Sequence, residues 1–169
     1  MANPRPLILC MSIHHGNTAR VAQAMAAECD AEIAVPEQVP YASLQRRQFV
    51  GFGAGVFYGR MHEALFDWLC GLPDDPKSQI PAFVFSTSGL PWLSWLWHRP
   101  LRRLLARKGF RVVGEFSCGG YDTWGPLWLI GGVNRKRPNE RDLMRAGQFA
   151  RRLIQKVAAG RAEPTCRCS

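Results

Sequence analysis

Five short apolar runs alternate along the chain with segments whose apolar residues recur at helical spacing. An apolar run without polar alternation is typical of a strand that is buried on both faces of a parallel sheet. The predicted strands are Leu7–Met11, Ala31–Val35, Phe49–Gly53, Ala82–Phe85 and Arg111–Phe116.

Four helices are predicted between and after these strands. The first helix spans about Thr18–Glu28. Apolar positions at helical spacing predict two more helices, over Leu65–Leu72 and Leu101–Leu105. The last helix extends from an N-cap at Asn139 to about Val157. The alternation predicts an α/β fold, a three-layer sandwich in which helices cover both faces of a five-stranded parallel sheet. We expect one domain over residues 1–169, with its core at 7–158 and a flexible tail from 159 onwards. In such sheets a ligand binds at the carboxyl ends of the strands.

The loop after the first strand, residues 12–18, has the composition of a phosphate-binding loop. It leaves a buried strand and enters a helix whose N-terminal N–H groups and dipole suit an anion. Gly16 lets the backbone approach a ligand, and Ser12, Asn17 and Thr18 add side-chain donors. The loop contains no lysine and no Gly-Lys-Ser/Thr, so it is not the P-loop of a nucleoside triphosphatase.

The run Gly16-Asn17-Thr18 matches the closing half of the Thr/Ser-x-Thr-Gly-Asn-Thr loop of flavodoxins. The chain therefore resembles the flavodoxin-like family over roughly Leu7 to Val157. Together with the later Gly-Glu-Phe-Ser-Cys segment, the run is similar to an uncharacterised subgroup rather than to the electron-carrier type. The resemblance implies strand order 2-1-3-4-5 and bound FMN.

His14 and His15 stand where flavodoxins have small hydroxylated residues. One imidazole could lie near the phosphate, or beside the flavin as a proton relay, because histidine titrates near neutrality. Alternatively, one points into solvent and the other bonds within the loop. Adjacent side chains point apart, so we expect no metal site.

The segment after the third strand contains glycines that do not form a dinucleotide fingerprint, since Tyr58 stands where the third glycine is required. The resemblance implies that this loop forms one wall of the isoalloxazine site. Ala54 and Gly55 would admit the ring, and Phe57 or Tyr58, beside Gly59, would flank it. Alternatively, both aromatic residues belong to the core.

Hydroxyl-rich residues follow the fourth strand. They do not form the nucleophile elbow of a hydrolase, which needs Gly-x-Ser-x-Gly. After the fifth strand, about twenty residues show no helix or strand pattern and open on the same edge. There Cys118 is either a reactive thiol or a buried one. The predicted FMN-binding residues are Ser12, His14, His15, Gly16, Asn17, Thr18, Ala54, Gly55, Phe57, Tyr58, Gly59, Ser86, Thr87, Ser88, Gly89, Cys118 and Tyr121.

The net charge of +9 is unevenly distributed, and this changes the expected partners. Residues 1–98 hold 6 Lys and Arg against 8 Asp and Glu, whereas residues 99–169 hold 16 against 5. Such asymmetry indicates an anionic partner unless the charges are merely solvated. The run Arg135–Arg137 could receive a phosphate of NADPH, and the tryptophans of Trp92–Trp97 either pack on a helix or face a quinone or a membrane. No nucleic-acid recognition motif is present, so that partner is not expected.

The remaining features of the composition indicate the structural class of the protein and its cellular compartment. Hydrophobic residues make up 47% of the 169 residues, which excludes a disordered chain. The six cysteines form no Cys-x-x-Cys pair, so we expect reduced thiols. No transmembrane span or signal peptide is apparent, and a cytoplasmic location is expected.

These observations predict an FMN-dependent redox protein that works by electron transfer or by NAD(P)H-dependent reduction, with a redox protein or NAD(P)H as partner. Flavodoxin carriers are typically acidic, so the pI of about 9.8 favours a reductase, or a carrier with an acidic partner. No general acid or base is assigned. The alternative is a flavin-free binding module of the same fold, whose basic C-terminal half binds an anionic partner.

Overall fold

The fold is that of a computed structural model. The residues described are 5–11, 16–57, 60–120 and 137–162, and for Phe57, Arg161 and Ala162 only the backbone is described. The strands are β1 (Leu7–Met11), β2 (Glu32–Ala34), β3 (Val50–Phe57), β4 (Arg60–Met61), β5 (Ile80–Ser88) and β6 (Phe110–Gly119). The helices are α1 (Asn17–Cys29), α2 (Tyr41–Leu44), α3 (Glu63–Gly71), α4 (Ser94–Arg107) and α5 (Glu140–Ala162). Short 3-10 turns occupy Pro36–Gln38 and Pro91–Leu93.

Five parallel strands form the sheet in the order β2-β1-β3-β5-β6. The two-residue β4 pairs antiparallel with the end of β3, outside this path. With β4 set aside, the predicted order 2-1-3-4-5 is confirmed. The chain leaves β1 on one side towards β2 and returns on the other side at β3, so the strand order reverses at β1, where ligands of such sheets bind.

Two helical layers cover the sheet. α1 and α5 pack on one face against Ile8, Phe83 and Phe85, and α3 and α4 pack on the other against side chains such as Leu9 and Val84. Both layers bury apolar residues completely, as the buried runs in the sequence predict.

Three strands extend further at their carboxyl ends than predicted, and the placement of several residues in loops is therefore wrong. Ala54, Gly55 and Phe57 lie within β3, residues 86–88 lie within β5, and Cys118 lies within β6. In β5 and β6 the apolar run stops before these positions, but the polar side chains that follow are buried and several bond to one another. A polar strand end whose groups are satisfied internally looks like a loop in the sequence.

Asn139 caps α5, as predicted. Its Oδ1 accepts a hydrogen bond of 3.0 Å from the N–H of Asp142, and its own N–H donates to Asp142 Oδ2 at 3.1 Å. The helix continues to Ala162, beyond its predicted end at about Val157, and the flexibility of the tail from residue 159 stays a prediction. Gly160 does not stop the helix, since one interior glycine costs only about 1 kcal/mol relative to alanine. Residues 163–169 lie outside the described residues.

None of the helices in the described ranges combines the length and the apolar character that a bilayer-spanning helix requires.

Candidate functional site

The N-terminus of α1 lies at the carboxyl end of β1, where the phosphate loop is predicted. Gly16 precedes the helix in a left-handed conformation with φ of 64°, and a Cβ atom there would meet no heavy atom within 4 Å. Asn17 and Thr18 are buried in the first turn. The first N–H groups of a helix have no partner within it, and its dipole favours an anion. The described half of the predicted loop therefore has the geometry that a phosphate requires; Ser12, His14 and His15 lie outside the described residues.

The Thr18 hydroxyl joins this helix to the sheet. Its Oγ1 lies 2.8 Å from Oγ1 of Thr87 near the end of β5, and both residues are buried. Each hydroxyl has one donor and two acceptor positions, so the pair retains capacity for a further bond. Thr18 thus positions the start of α1 in addition to its predicted role at a phosphate.

The end of β6 closes on the same point through Gly120. Its N–H donates a 3.0 Å hydrogen bond to the Ser88 carbonyl. A Cβ atom on Gly120 would lie 3.1 Å from Thr87 Cβ and 3.3 Å from Asn17 Nδ2. The absence of a side chain at residue 120 therefore lets α1, β5 and β6 converge.

Ser88, the last residue of β5, carries an unsatisfied polar atom. Its Oγ is buried and has no hydrogen-bond partner among the described residues. An unpaired buried hydroxyl costs about 1–3 kcal/mol, so such a group calls for a partner beyond the described residues. Hydroxyls, backbone amides and a helix N-terminus are a donor set that fits FMN.

The predicted wall of the isoalloxazine site is only partly described. Ala54 is completely buried in the core beside α3 and α4, and Gly55 pairs with Thr87 in the sheet. Phe57 ends β3. Tyr58, Gly59 and Tyr121 lie outside the described residues, so the contacts predicted for them stay predictions.

Ser86, predicted as a flavin contact, belongs instead to a buried hydrogen-bond network. Its Oγ lies 2.9 Å from Nε2 of His98 on α4 and 3.2 Å from Oγ of Ser117 on β6. His98 Nδ1 in turn lies 2.9 Å from Glu115 Oε2, and Arg102 pairs with the other oxygen of that carboxylate at 3.0 Å. We call Ser86, His98, Glu115, Arg102 and Ser117 the His98 network.

A β-bulge places Glu115 opposite His98. The register moves from Ala82↔Val112 to Phe83↔Gly114, which leaves Val113 as the extra residue. Val113 packs on the α1–α5 side, and a Cβ on Gly114 would also point there, towards Leu153. Two successive residues on one face reverse the alternation, so Glu115 turns to the α4 side.

His98 was not identified from the sequence, although a signal exists. It lies on the buried stripe of α4 with Trp97, Leu101 and Leu105, where a polar residue requires a partner. Burial lowers the pKa of His98, and the hydrogen bond that its Nδ1 donates to the Glu115 carboxylate opposes this only in part. Ser–His–Glu spacing resembles that of a hydrolase triad, but Ser86 is 0% exposed and no substrate reaches its hydroxyl.

Cys118 is a buried thiol rather than a reactive one. It is 2% exposed, and burial raises its pKa to about 12. A thiolate is the nucleophilic form of cysteine, so this side chain is inert near neutral pH.

Arg137, part of the basic run considered for NADPH, has a structural partner. Its guanidinium bonds both carboxylate oxygens of Asp142 at 2.7 and 2.8 Å, and Asp142 is 1% exposed. The side chain therefore holds the start of α5. Arg135 and Lys136 lie outside the described residues.

Comparison with known proteins gives one sequence relative and many structural ones. No protein-family model matches the chain. The uncharacterized protein MJ0298 of Methanocaldococcus jannaschii is 38% identical over 151 residues, which cover 89% of this chain and 99% of that protein. Oxidised flavodoxin 2 of Bacillus cereus superimposes with a TM-score of 0.66 at 16% identity, over 90% of this chain and 99% of that one. The apo form of an NADH:FMN oxidoreductase gives 0.66 at 13% identity, over 97% and 94%. At these identities the structural likeness shows the fold, which is flavodoxin-like.

Proposed function

This chain belongs to the same family as the uncharacterized protein MJ0298 of Methanocaldococcus jannaschii and has a flavodoxin-like fold, and from that premise we propose that it binds FMN and acts as a redox protein. The observation that carries the proposal is the unpartnered Ser88 hydroxyl, buried where α1, β5 and β6 converge. The names of two structural neighbours, a flavodoxin and an NADH:FMN oxidoreductase, support the same cofactor.

The chain's own residues would bind and orient the cofactor. Gly16, Asn17 and Thr18 at the start of α1 would hold the phosphate, and Ser88 and Gly89 would contact the remainder of the molecule. Bound FMN supplies one-electron and two-electron transfer. The described residues at this edge contribute hydroxyls and backbone N–H groups, which suit the binding of a phosphate and a polar ring edge.

Replacing Ser88 with Ala tests the site directly. We expect FMN to bind about 5-fold to 10-fold more weakly, since one hydrogen bond is lost. The unliganded chain should be as stable as the wild type or more so, because the substitution removes an unsatisfied hydroxyl. Quenching of FMN fluorescence measures the affinity, and urea unfolding measures the stability.

Ser43→Ala is the matched control, since the Ser43 hydroxyl donates an exposed hydrogen bond to the Pro40 carbonyl in the short helix α2. Equal affinities of the Ser88→Ala variant and the wild type would contradict the assignment of Ser88. A chain that purifies colourless and ignores added FMN would contradict the whole proposal and favour the flavin-free binding module.

Replacing Thr18 with Val tests the phosphate loop. We expect about 10-fold weaker FMN binding from a lost phosphate bond, and about 1 kcal/mol lower stability from the lost bond to Thr87. Thr87→Val breaks the same hydroxyl pair without altering the loop. It should therefore lower the free energy of unfolding as much as Thr18→Val does, and lower the affinity for FMN less. If both variants lower affinity equally, Thr18 acts only through Thr87.

Anaerobic mixing of the FMN-loaded chain with NADH and with NADPH separates the two redox roles. Rapid loss of flavin absorbance indicates a reductase, whereas an unchanged spectrum indicates a carrier that another protein reduces.

A further inference from the structure

Large apolar side chains project from the start of α4 and from the turn before it. Trp92 is 71% exposed and Trp95 is 61% exposed, and Leu90 and Leu96 are each about half exposed. Trp97, the residue after Leu96, is buried in the core. Four exposed large apolar residues within seven positions form a patch of the kind that marks an interaction surface.

Arginines continue this surface along α4 and onto the neighbouring edge strand. Arg99, Arg102 and Arg103 on α4 and Arg111 on β6 line one groove together with Trp95. Arg102 pairs with Glu115, but the other three have no ion-pair partner among the described residues. No acidic residue occurs in the sequence between Asp75 and Glu115.

The positive charges of Arg99, Arg103 and Arg111 are not balanced by ion pairs among the described residues. Arg99 and Arg103 lie four residues apart on the helix, and like charges at this spacing destabilise a helix by about 0.2–0.5 kcal/mol. The groove extends from Trp95 to Ala106, about 16 Å of helix. A single phosphate group is too small to meet all four guanidinium groups over such a length, whereas an array of anionic groups can.

We propose that this surface, which we call the α4 patch (Leu90, Trp92, Trp95, Leu96, Arg99, Arg102, Arg103 and Arg111), docks the folded protein on an anionic lipid bilayer. The indole rings and leucines would enter the headgroup region, and the guanidinium groups would pair with lipid phosphates.

A bilayer is favoured over an acidic protein for two reasons. Its phosphates are mobile and meet arginines in any arrangement, and its interface accepts projecting indoles without a shaped pocket. The buried side of α4, with Leu101 and Leu105, stays in the core, so docking requires no unfolding. The inference does not depend on FMN binding.

Flotation of the full chain with lipid vesicles tests the proposal. We expect binding to vesicles of phosphatidylglycerol and phosphatidylcholine, weakening as salt is raised, and little binding to phosphatidylcholine alone. Arg99→Glu with Arg103→Glu should lower the partition coefficient at least ~30-fold, since each basic residue near the surface contributes about 1 kcal/mol. Trp92→Ala with Trp95→Ala should lower it at least ~10-fold and reduce the quenching of tryptophan fluorescence by lipids brominated in the acyl chain.

The matched control is Arg145→Glu with Arg152→Glu, which makes the same change of net charge at exposed positions of α5 on the opposite face of the sheet. It should retain most of the binding. An equal loss in both double variants would mean that only net charge matters, and the proposal would be wrong. Absence of binding to anionic vesicles at low salt would also overturn it, and retention of the same chain by immobilised polyglutamate would then assign the surface to an acidic protein.

Discussion

The two faces of β5 are closed by different means. On the α1–α5 face, the rings of Phe83 and Phe85 stack with centroids 5.8 Å apart and lie over the neighbouring strand, where residues 51 and 53 are glycines. On the α3–α4 face, the end of the same strand carries Ser86 in the His98 network and Ser88 without a partner. One face is filled by apolar volume, whereas the other depends on paired polar groups.

This difference between the two faces of β5 indicates where the strand leaves a polar group available to a ligand. Around Phe83 and Phe85 the α1–α5 face is filled by apolar rings, and this stretch offers no polar side chain to a ligand. The hydrogen-bonded face satisfies Ser86 internally but not the hydroxyl two residues further along the strand. β5 therefore ends in an unsatisfied hydroxyl, because its polar network stops one position short.

The largest expected effect comes from adding volume to the packed face. A Cβ atom on Gly53 would lie 1.9 Å from Cζ of Phe85, so the ring must move. We expect Gly53→Ala to lower the free energy of unfolding by about 3 kcal/mol or more, measured in urea. Gly71→Ala is the control, because a Cβ there meets nothing within 4 Å and the change should stay below about 1 kcal/mol. Equal effects would contradict the packing of Phe85 over β3.

A smaller effect is expected when the polar face loses its central partner. His98→Ala removes two buried hydrogen bonds and leaves a cavity, and should cost about 2–3 kcal/mol of unfolding free energy. His62, whose ring accepts a 3.2 Å hydrogen bond from the Ala64 N–H at the start of α3, is the control. His62→Ala should cost about 1 kcal/mol. If His98→Ala lowers the free energy of unfolding no more than His62→Ala does, the α3–α4 face does not depend on its paired polar groups.

The smallest effect is the pH dependence of the same face. Burial lowers the pKa of folded His98 below its ordinary value of 6.5, so the unfolded chain binds this proton more readily. The contribution of neutral His98 is complete above pH 6.5 and is lost as the pH falls towards the folded pKa. The difference in unfolding free energy between wild type and His98→Ala should therefore shrink between pH 7 and pH 5. A difference that grows in acid would mean that the ion pair with Glu115 dominates.

Strand and helix positions could be predicted from the sequence because buried parallel strands are continuous apolar runs and amphipathic helices repeat every three to four residues. Leu7–Met11 and the Asn139 cap are correct to the residue. The carboxyl ends of β5 and β6 were placed too early, since Ser86 and Ser117 are polar but satisfy each other across the sheet. Local pattern carries no information about a partner 31 residues away.

The amino-acid sequence by itself determined the layered α/β fold, its five parallel strands and the position of the loop before α1, because each depends on local periodicity and helix geometry. Only the tertiary structure decided which polar groups near that loop are already satisfied. The pairing of Thr18 with Thr87 depends on how α1 packs on β5, and the pairing of His98 with Glu115 depends on the bulge at Val113. The same long-range packing buried Trp97 and left Trp92 and Trp95 exposed, because a helix's orientation on the sheet decides which of its side chains face the core.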